Sequence, residues 1–197
     1  MNQVETLLFA SNNLHKAAEI AQVLGDRYCI LTLAEAGIII NIPEPHDSFH
    51  QNALEKSSTI ARITGKNCFS EDSGLEVMAL GGAPGVNSAR YAHEKATDAE
   101  NISRLLSNLS GVTNRNAQFK TVISLQYNGA SYYFEGTCSG KILEAPRGSK
   151  GFGYDPIFVP EGDTRSFGEM SMEEKSRFSH RKKAVEQLVN FLQSRFS

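Results

Sequence analysis

Two carboxylates stand side by side in "SEDSGL", residues 70 to 75, where Glu71 and Asp72 follow a short apolar run. Adjacent acids repel, and on a strand they point to opposite faces, so neither packing nor strand pairing accounts for them. One account is an acidic surface turn, since Asp, Ser and Gly are ordinary turn residues. The other is a hard cation. Mg2+ takes one or two protein carboxylates and leaves its other positions to water and substrate phosphates. That account predicts phosphate-binding groups elsewhere in the chain.

Residues of the right type are present. "SNNLHK", residues 11 to 16, joins an apolar run to a helical pattern. Amides at a helix N-terminus bind phosphate, and Lys16 one turn in adds a cation. The plainer alternative is an N-cap at Ser11 or Asn12 followed by a surface lysine. No Walker loop is present, because the paired glycines and the Gly-Lys-Ser/Thr ending are missing. "GSKGFGYDP" sets Gly148, Gly151 and Gly153 around Phe152, where glycines admit close backbone approach and the ring offers a stacking face to a base. A strand-like run, "YDPIFVP", follows it, and a dinucleotide fingerprint would need a helix there. Lys175, His180, Arg181, Lys182 and Lys183 form the one basic cluster. Such a run is an ordinary solvated helix face, or a set of donors aimed at one ligand from either side of a cap at Ser179. His46 and His50 have zinc-pair spacing, but the prolines of "PEPHD" break the helix that a pair needs, and a structural zinc is rejected.

The elements that must position these groups alternate. "ETLLFAS" reads as a strand, and Leu14, Ala17, Ala18, Ala21 and Leu24 mark a helix that Gly25 stops. "YCILTL" is a second strand, and "DSFHQNALEKSSTIARITG" a second helix with Phe49, Ala53, Leu54, Ile60 and Ala61 on its inner stripe. "NCFSED" is a strand delivering the acids at its carboxyl end, and "LEVMAL" is another beyond a turn at Ser73-Gly74. A glycine-rich loop, a helix over residues 98 to 109 and a hairpin around Asn128-Gly129 follow. The last helix carries Val185, Leu188, Val189, Leu192 and Phe196 on its apolar side. Alternation with one hairpin predicts an α/β fold with a mixed sheet.

Composition bounds the partners. The 197 residues, 40% hydrophobic and without a linker, make one domain. The 20 basic and 22 acidic residues are scattered, for a net charge of −2, which argues against a non-specific nucleic-acid binder. Cys29, Cys68 and Cys138 contain no CxxC pair, so neither a disulfide framework nor a zinc ribbon is indicated, and the cell interior is the expected compartment. "MNQVETLLFASNN" has no basic lead, and no apolar run approaches a bilayer's thickness. The expectation is a soluble, cytoplasmic protein without membrane partners.

Taken in order, "SNNLHK", "EPHDSFHQNA", "EDSGLEV", "GGAPGVNSARYA", "GFGYDPIF" and "EEKSRFSHR" resemble the inosine triphosphate pyrophosphatases, the dITP/XTP pyrophosphatase family, over nearly the whole chain. The resemblance implies an elongated mixed α/β fold with two lobes around a substrate cleft, usually a homodimer. It implies Mg2+-dependent hydrolysis of purine nucleoside triphosphates with 6-oxo bases (ITP, dITP, XTP) to the monophosphate and pyrophosphate. By match, Ser11, Asn12, Asn13, Leu14, His15 and Lys16 hold the triphosphate. Glu44, Glu71 and Asp72 hold the metal, Asp72 is the general base, and Ser73 contacts substrate. The base falls to Phe152, Gly153, Tyr154, Asp155, Lys175, His180 and Arg181, the arginine donating to a 6-oxo group that adenine lacks. The family has Glu-Asn-Ala where this chain has Gln51-Asn52-Ala53, one carboxylate fewer near the metal region. Two rival readings stand beside this one, a nucleotide-binding regulator without turnover and a single-stranded nucleic-acid binder.

Overall fold

The computed structural model describes residues 5–24 and 28–195; Gly25 and Phe196 lie outside them. Apolar runs at the start of the chain form β1 (Glu5–Phe9) and β2 (Tyr28–Thr32), parallel neighbours with Leu7 opposite Ile30, joined through α1 (Leu14–Leu24). The next helix, α2 (Phe49–Thr64), ends on Gly65 in the left-handed conformation, the usual helix stop for a residue without Cβ. It leads into β3 (Cys68–Val77), parallel to β1 on the other side, with Leu8 opposite Cys68. After α3 (Asp98–Asn108) come β4 (Asn116–Tyr127) and β5 (Ala130–Ile142). Asn128 (φ 50°) and Gly129 (φ 79°) make their two-residue turn, the left-handed pair that matches strand twist. Then come β6 (Phe158–Pro160), α4 (Met172–Ser176) and α5 (His180–Arg195). The six-stranded order β2-β1-β3-β4-β5-β6, with β5 and β6 antiparallel, is the expected mixed α/β sheet.

Two expectations need correction. No turn occurs at Ser73-Gly74: residues 68 to 77 form one strand, with Glu71 and Asp72 near its middle. Gly74 serves close approach instead, because a Cβ there would overlap the Gly85 carbonyl oxygen and Ser88 Oγ. "YDPIFVP" is only partly a strand, since a single helical turn over Asp155–Ile157 precedes the three residues of β6. Pro156, with its helix-compatible φ, is the second residue of that turn.

The chain divides into two compact units. The first comprises the chain up to Asp72, Thr121–Gly136 and the chain from Arg181 onward. Its core gathers Phe9, Ile20, Phe69, Ile123, Val185 and Leu188, with the Phe9 and Phe69 rings stacked at 4.9 Å. The second comprises Ser73–Lys120 and Thr137–His180, with Leu75, Leu105, Phe119, Ile157, Phe158 and Phe167 in its core. Among the described residues no helix is long and apolar enough to cross a membrane.

Candidate active site

In the first unit, strand alternation sends Glu71 and Asp72 to opposite faces of β3, where each meets its own cations. Glu71 is wholly buried and accepts two hydrogen bonds from Arg181, Nε to Oε2 at 2.7 Å and Nη2 to Oε1 at 2.8 Å. Lys16 Nζ lies 3.3 Å from Glu71 Oε1, and Arg181 Nη1 also donates to Glu19. Burial works against the Arg181 charge, but Glu71 and Glu19 together outweigh it and hold the guanidinium above its ordinary pKa. On the other face Asn52 Nδ2 donates to Asp72 Oδ2 at 3.2 Å, and Lys56 Nζ is 3.6 Å from Asp72 Oδ1. The same ammonium is 2.5 Å from Glu44 Oε1. Burial raises the Asp72 carboxyl above the usual carboxylate range; Lys56, Lys16 and the Asn52 hydrogen bond pull the other way, and Glu44 adds to the rise.

Lys16 is not a surface lysine: its side chain is 16% exposed and turned to Glu71. The loop before it is tied by its own polar groups. Ser11 Oγ accepts from the Asn13 N–H, Asn12 Oδ1 accepts from the Ala34 N–H at 2.8 Å, and Asn13 Oδ1 accepts from the Lys16 N–H at 3.1 Å. The capping side chain is therefore Asn13, not Ser11 or Asn12. Leu14 and His15 are exposed.

In the second unit, Lys175 Nζ donates to Asp155 Oδ2 at 2.6 Å, both groups being buried. It also lies 5.0 Å from the Phe152 ring centre and 5.3 Å from that of Phe167, within cation–π range. Asp155 Oδ2 accepts from the Phe152 N–H at 3.0 Å as well. The neighbouring Gly153 N–H donates to Asp98 Oδ2 at 2.7 Å, and Tyr154 Oη donates to the Ser88 carbonyl at 2.9 Å. Burial above all raises the Tyr154 hydroxyl pKa. His180 lies flat on Phe119, 4.9 Å between ring centres. Ser73 is half-buried on β3.

Arg181 departs from the expected donor set. Its guanidinium is bound to Glu71 and Glu19, whereas the preceding His180 packs on Phe119. Glu71, expected among the metal ligands, accepts both of its short hydrogen bonds from Arg181.

For a metal, Glu44 and Asp72 are the better fit. One ammonium reaches both carboxylates, so a single cation can serve the pair, and hard oxygen donors suit Mg2+. Among the described residues no three His, Cys, Asp or Glu side chains form a metal cage; Mg2+ needs none when water and phosphate complete its shell. Gln51, at the departure from the family pattern, is exposed, and Asn52 is the residue turned to Asp72. Sequence reasoning missed Asn52, Lys56, Glu19 and Asp98. The first two left a readable signal, polar residues at i, i+4 inside the Phe49-to-Ile60 stripe of α2.

A model of the Ham1 family matches residues 7–191. The chain is 45% identical to a dITP/XTP pyrophosphatase of Flavobacterium psychrophilum over 188 residues, covering 95% of this chain and 99% of that protein. It is 47% identical to the dITP/XTP pyrophosphatase of Porphyromonas gingivalis over 190 residues, covering 96% and 98%. The structure of the Staphylococcus aureus Ham1 protein superposes with a TM-score of 0.88 at 38% identity, covering 97% of this chain and 100% of that one.

Proposed function

The chain belongs to the Ham1 family, and on that premise we propose that it hydrolyses ITP, dITP and XTP to the nucleoside monophosphate and pyrophosphate with Mg2+, clearing deaminated purines from the nucleotide pool. The observation that carries this reading is the pairing of acids with amines in the first unit: Lys16 with Glu71, and Lys56 with Glu44 and Asp72. A metal–triphosphate complex brings both signs at once, phosphate oxygens for the lysines and a cation for the carboxylates. A nucleic acid would bring only the anion, and the net charge of −2 gives it little attraction.

Each residue then has a task. Lys16 and Lys56 turn to the phosphate chain, beside the loop of residues 11 to 13. When bound, Mg2+ neutralises phosphate charge as the anhydride breaks. Asp72, ionised, takes a proton from the water that attacks the α-phosphorus, and pyrophosphate departs with the electrons of the α–β bridging bond. Asn52 orients Asp72 by donating to its Oδ2. Arg181 braces Glu71 rather than reading the base. Phe152 offers a face to the purine, and Lys175 and His180 are the donors for its 6-oxo edge. We take the active form to be a cytoplasmic homodimer.

The test is release of pyrophosphate from ITP, dITP, XTP, GTP and ATP, with Mg2+ and with chelator. Pyrophosphate from the first three, abolished by chelator, is expected. Orthophosphate as the main product would move the cleavage position, and tight binding without any product would favour a regulator that does not turn over.

A further inference from the structure

We infer that Asp98 is a positioning residue for base recognition, acting through the Gly153 amide. The inference rests on the proposed assignment of residues 152–155 to the base. That segment is held by two carboxylates on consecutive peptides. Asp155, buried, accepts from the Phe152 N–H and from Lys175, and Gly151 lies so close that a Cβ there would overlap the Asp155 carboxylate. The next amide, that of Gly153, donates to Asp98, a residue 55 positions away in the chain. Gly153 has φ of 60°, open to rotation because glycine has no Cβ to restrict it. The carbonyl of the same peptide accepts from the Asp155 N–H at the longer distance of 3.3 Å, so the 2.7 Å bond from Gly153 to Asp98 is the shorter hold on that peptide, and with it on the direction of the Phe152 ring.

Asp98 suits this task because its mounting is rigid while its side chain has no capping role in its own helix. It is the first residue of α3, and the cap there belongs to its neighbours: Thr97 Oγ1 accepts from the Glu100 N–H, and the Glu100 carboxylate accepts from the Thr97 N–H. Ile102 and Leu105 bury the other side of the helix. Tyr154 Oη, bound to the Ser88 carbonyl, fixes the following side chain. Ser88 is itself held, accepting from the Leu75 N–H and donating to the Gly85 carbonyl. The base segment is thus suspended between fixed points of the second unit, and Asp98 is the exposed one among them. A loop so fixed lowers the ordering cost of binding the base, so its loosening should appear in KM before kcat.

Asp98→Ala and Asp98→Asn separate this role from a helix-start charge. In the Ala variant KM for ITP should rise about tenfold with kcat within about twofold, the pattern of lost binding rather than lost chemistry. Exchange of the Gly153 amide with solvent, followed by NMR without nucleotide, should quicken by about tenfold or more as its acceptor is lost. Asn keeps an acceptor oxygen and loses the charge, so it should restore both readouts to within about threefold. A helix-start role predicts the reverse, Asn as poor as Ala, a lower Tm in both and an unchanged KM. Unchanged KM and unchanged Gly153 exchange in the Ala variant overturn the inference. If that variant does not fold, an Asn variant with impaired KM and native exchange overturns it, and one native in both supports it. Failure of the unmodified enzyme to release pyrophosphate from ITP sinks the functional reading itself; normal turnover with KM unmoved in Asp98→Ala sinks the Asp98 assignment alone.

Discussion

Asp72 is buried where ionisation is costly, yet the base role proposed for it requires it ionised. With its folded pKa raised, Asp72 contributes stability that is full below the unfolded value, 3.8, and is lost as pH rises through the folded value. At neutral pH the metal-free protein therefore carries a penalty that Asp72→Asn removes. Turnover in this variant should fall by about two to four powers of ten, while Tm of the metal-free protein rises by about 2 to 4 °C. A Tm that falls would mean that Lys56 stabilises the carboxylate more than burial destabilises it. Arg181 has the opposite balance. Arg181→Ala leaves Glu71 buried without its two-pronged partner and should cost about 3 to 5 kcal/mol in denaturant unfolding. Lys should recover little of that, having no planar fork. The carboxylates and Lys16 stood out in the sequence through the family resemblance of their motifs, since type and spacing alone equally fit a surface turn and a surface lysine. The Arg181 pairing was not, because Glu71 and Glu19 stand 110 and 162 residues away and a basic run does not name its partners. Lys56 was missed although its place four residues after Asn52, inside the apolar stripe of α2, is a local sign that it turns inward.

At the scale of elements, β3 depends on backbone contact at one point. Gly74→Ala would drive a methyl into the Gly85 carbonyl and Ser88 Oγ, both held by further hydrogen bonds. The expected loss is about 1 to 3 kcal/mol, as for other overpacked sites, measured as a lower urea midpoint with unchanged slope. A neutral substitution would show that the Gly85-to-Arg90 turn yields. That same glycine misled the sequence reading, since Ser-Gly signals a turn by local chemistry and only tertiary contact reveals close approach. The helices, the parallel pair and the Asn128-Gly129 hairpin were legible because periodicity and turn type are local. The short α4 was overlooked although its capping box, Ser171 with Glu174, was in plain view.

For the whole molecule, the surface carboxylates respond to acid oppositely to Asp72. Hydrogen bonds to the Thr97 backbone and hydroxyl pull the Glu100 pKa down from 4.5 to about 2, and the Arg165 guanidinium does the same for Glu174. Depressed folded values contribute stability above pH 4.5 and lose it as pH falls toward about 2. Acid unfolding, followed by circular dichroism, should therefore begin below about pH 4 and shift upward in Glu100→Gln and Glu174→Gln. Midpoints unmoved by both substitutions would show that solvent screens these caps entirely. The pairing of Lys16 and Lys56 with their carboxylates has a further consequence, for the surrounding electrolyte. A binding site with unopposed lysines would attract a condensed shell of small anions and give them up when phosphate arrives, making affinity steeply salt-dependent. At the proposed site the ions displaced would be the protein's own side chains, and the net charge of −2 provides no long-range pull on a nucleotide. Between about 20 and about 200 mM KCl, kcat/KM for ITP should accordingly change less than about twofold, because no counterion atmosphere is exchanged.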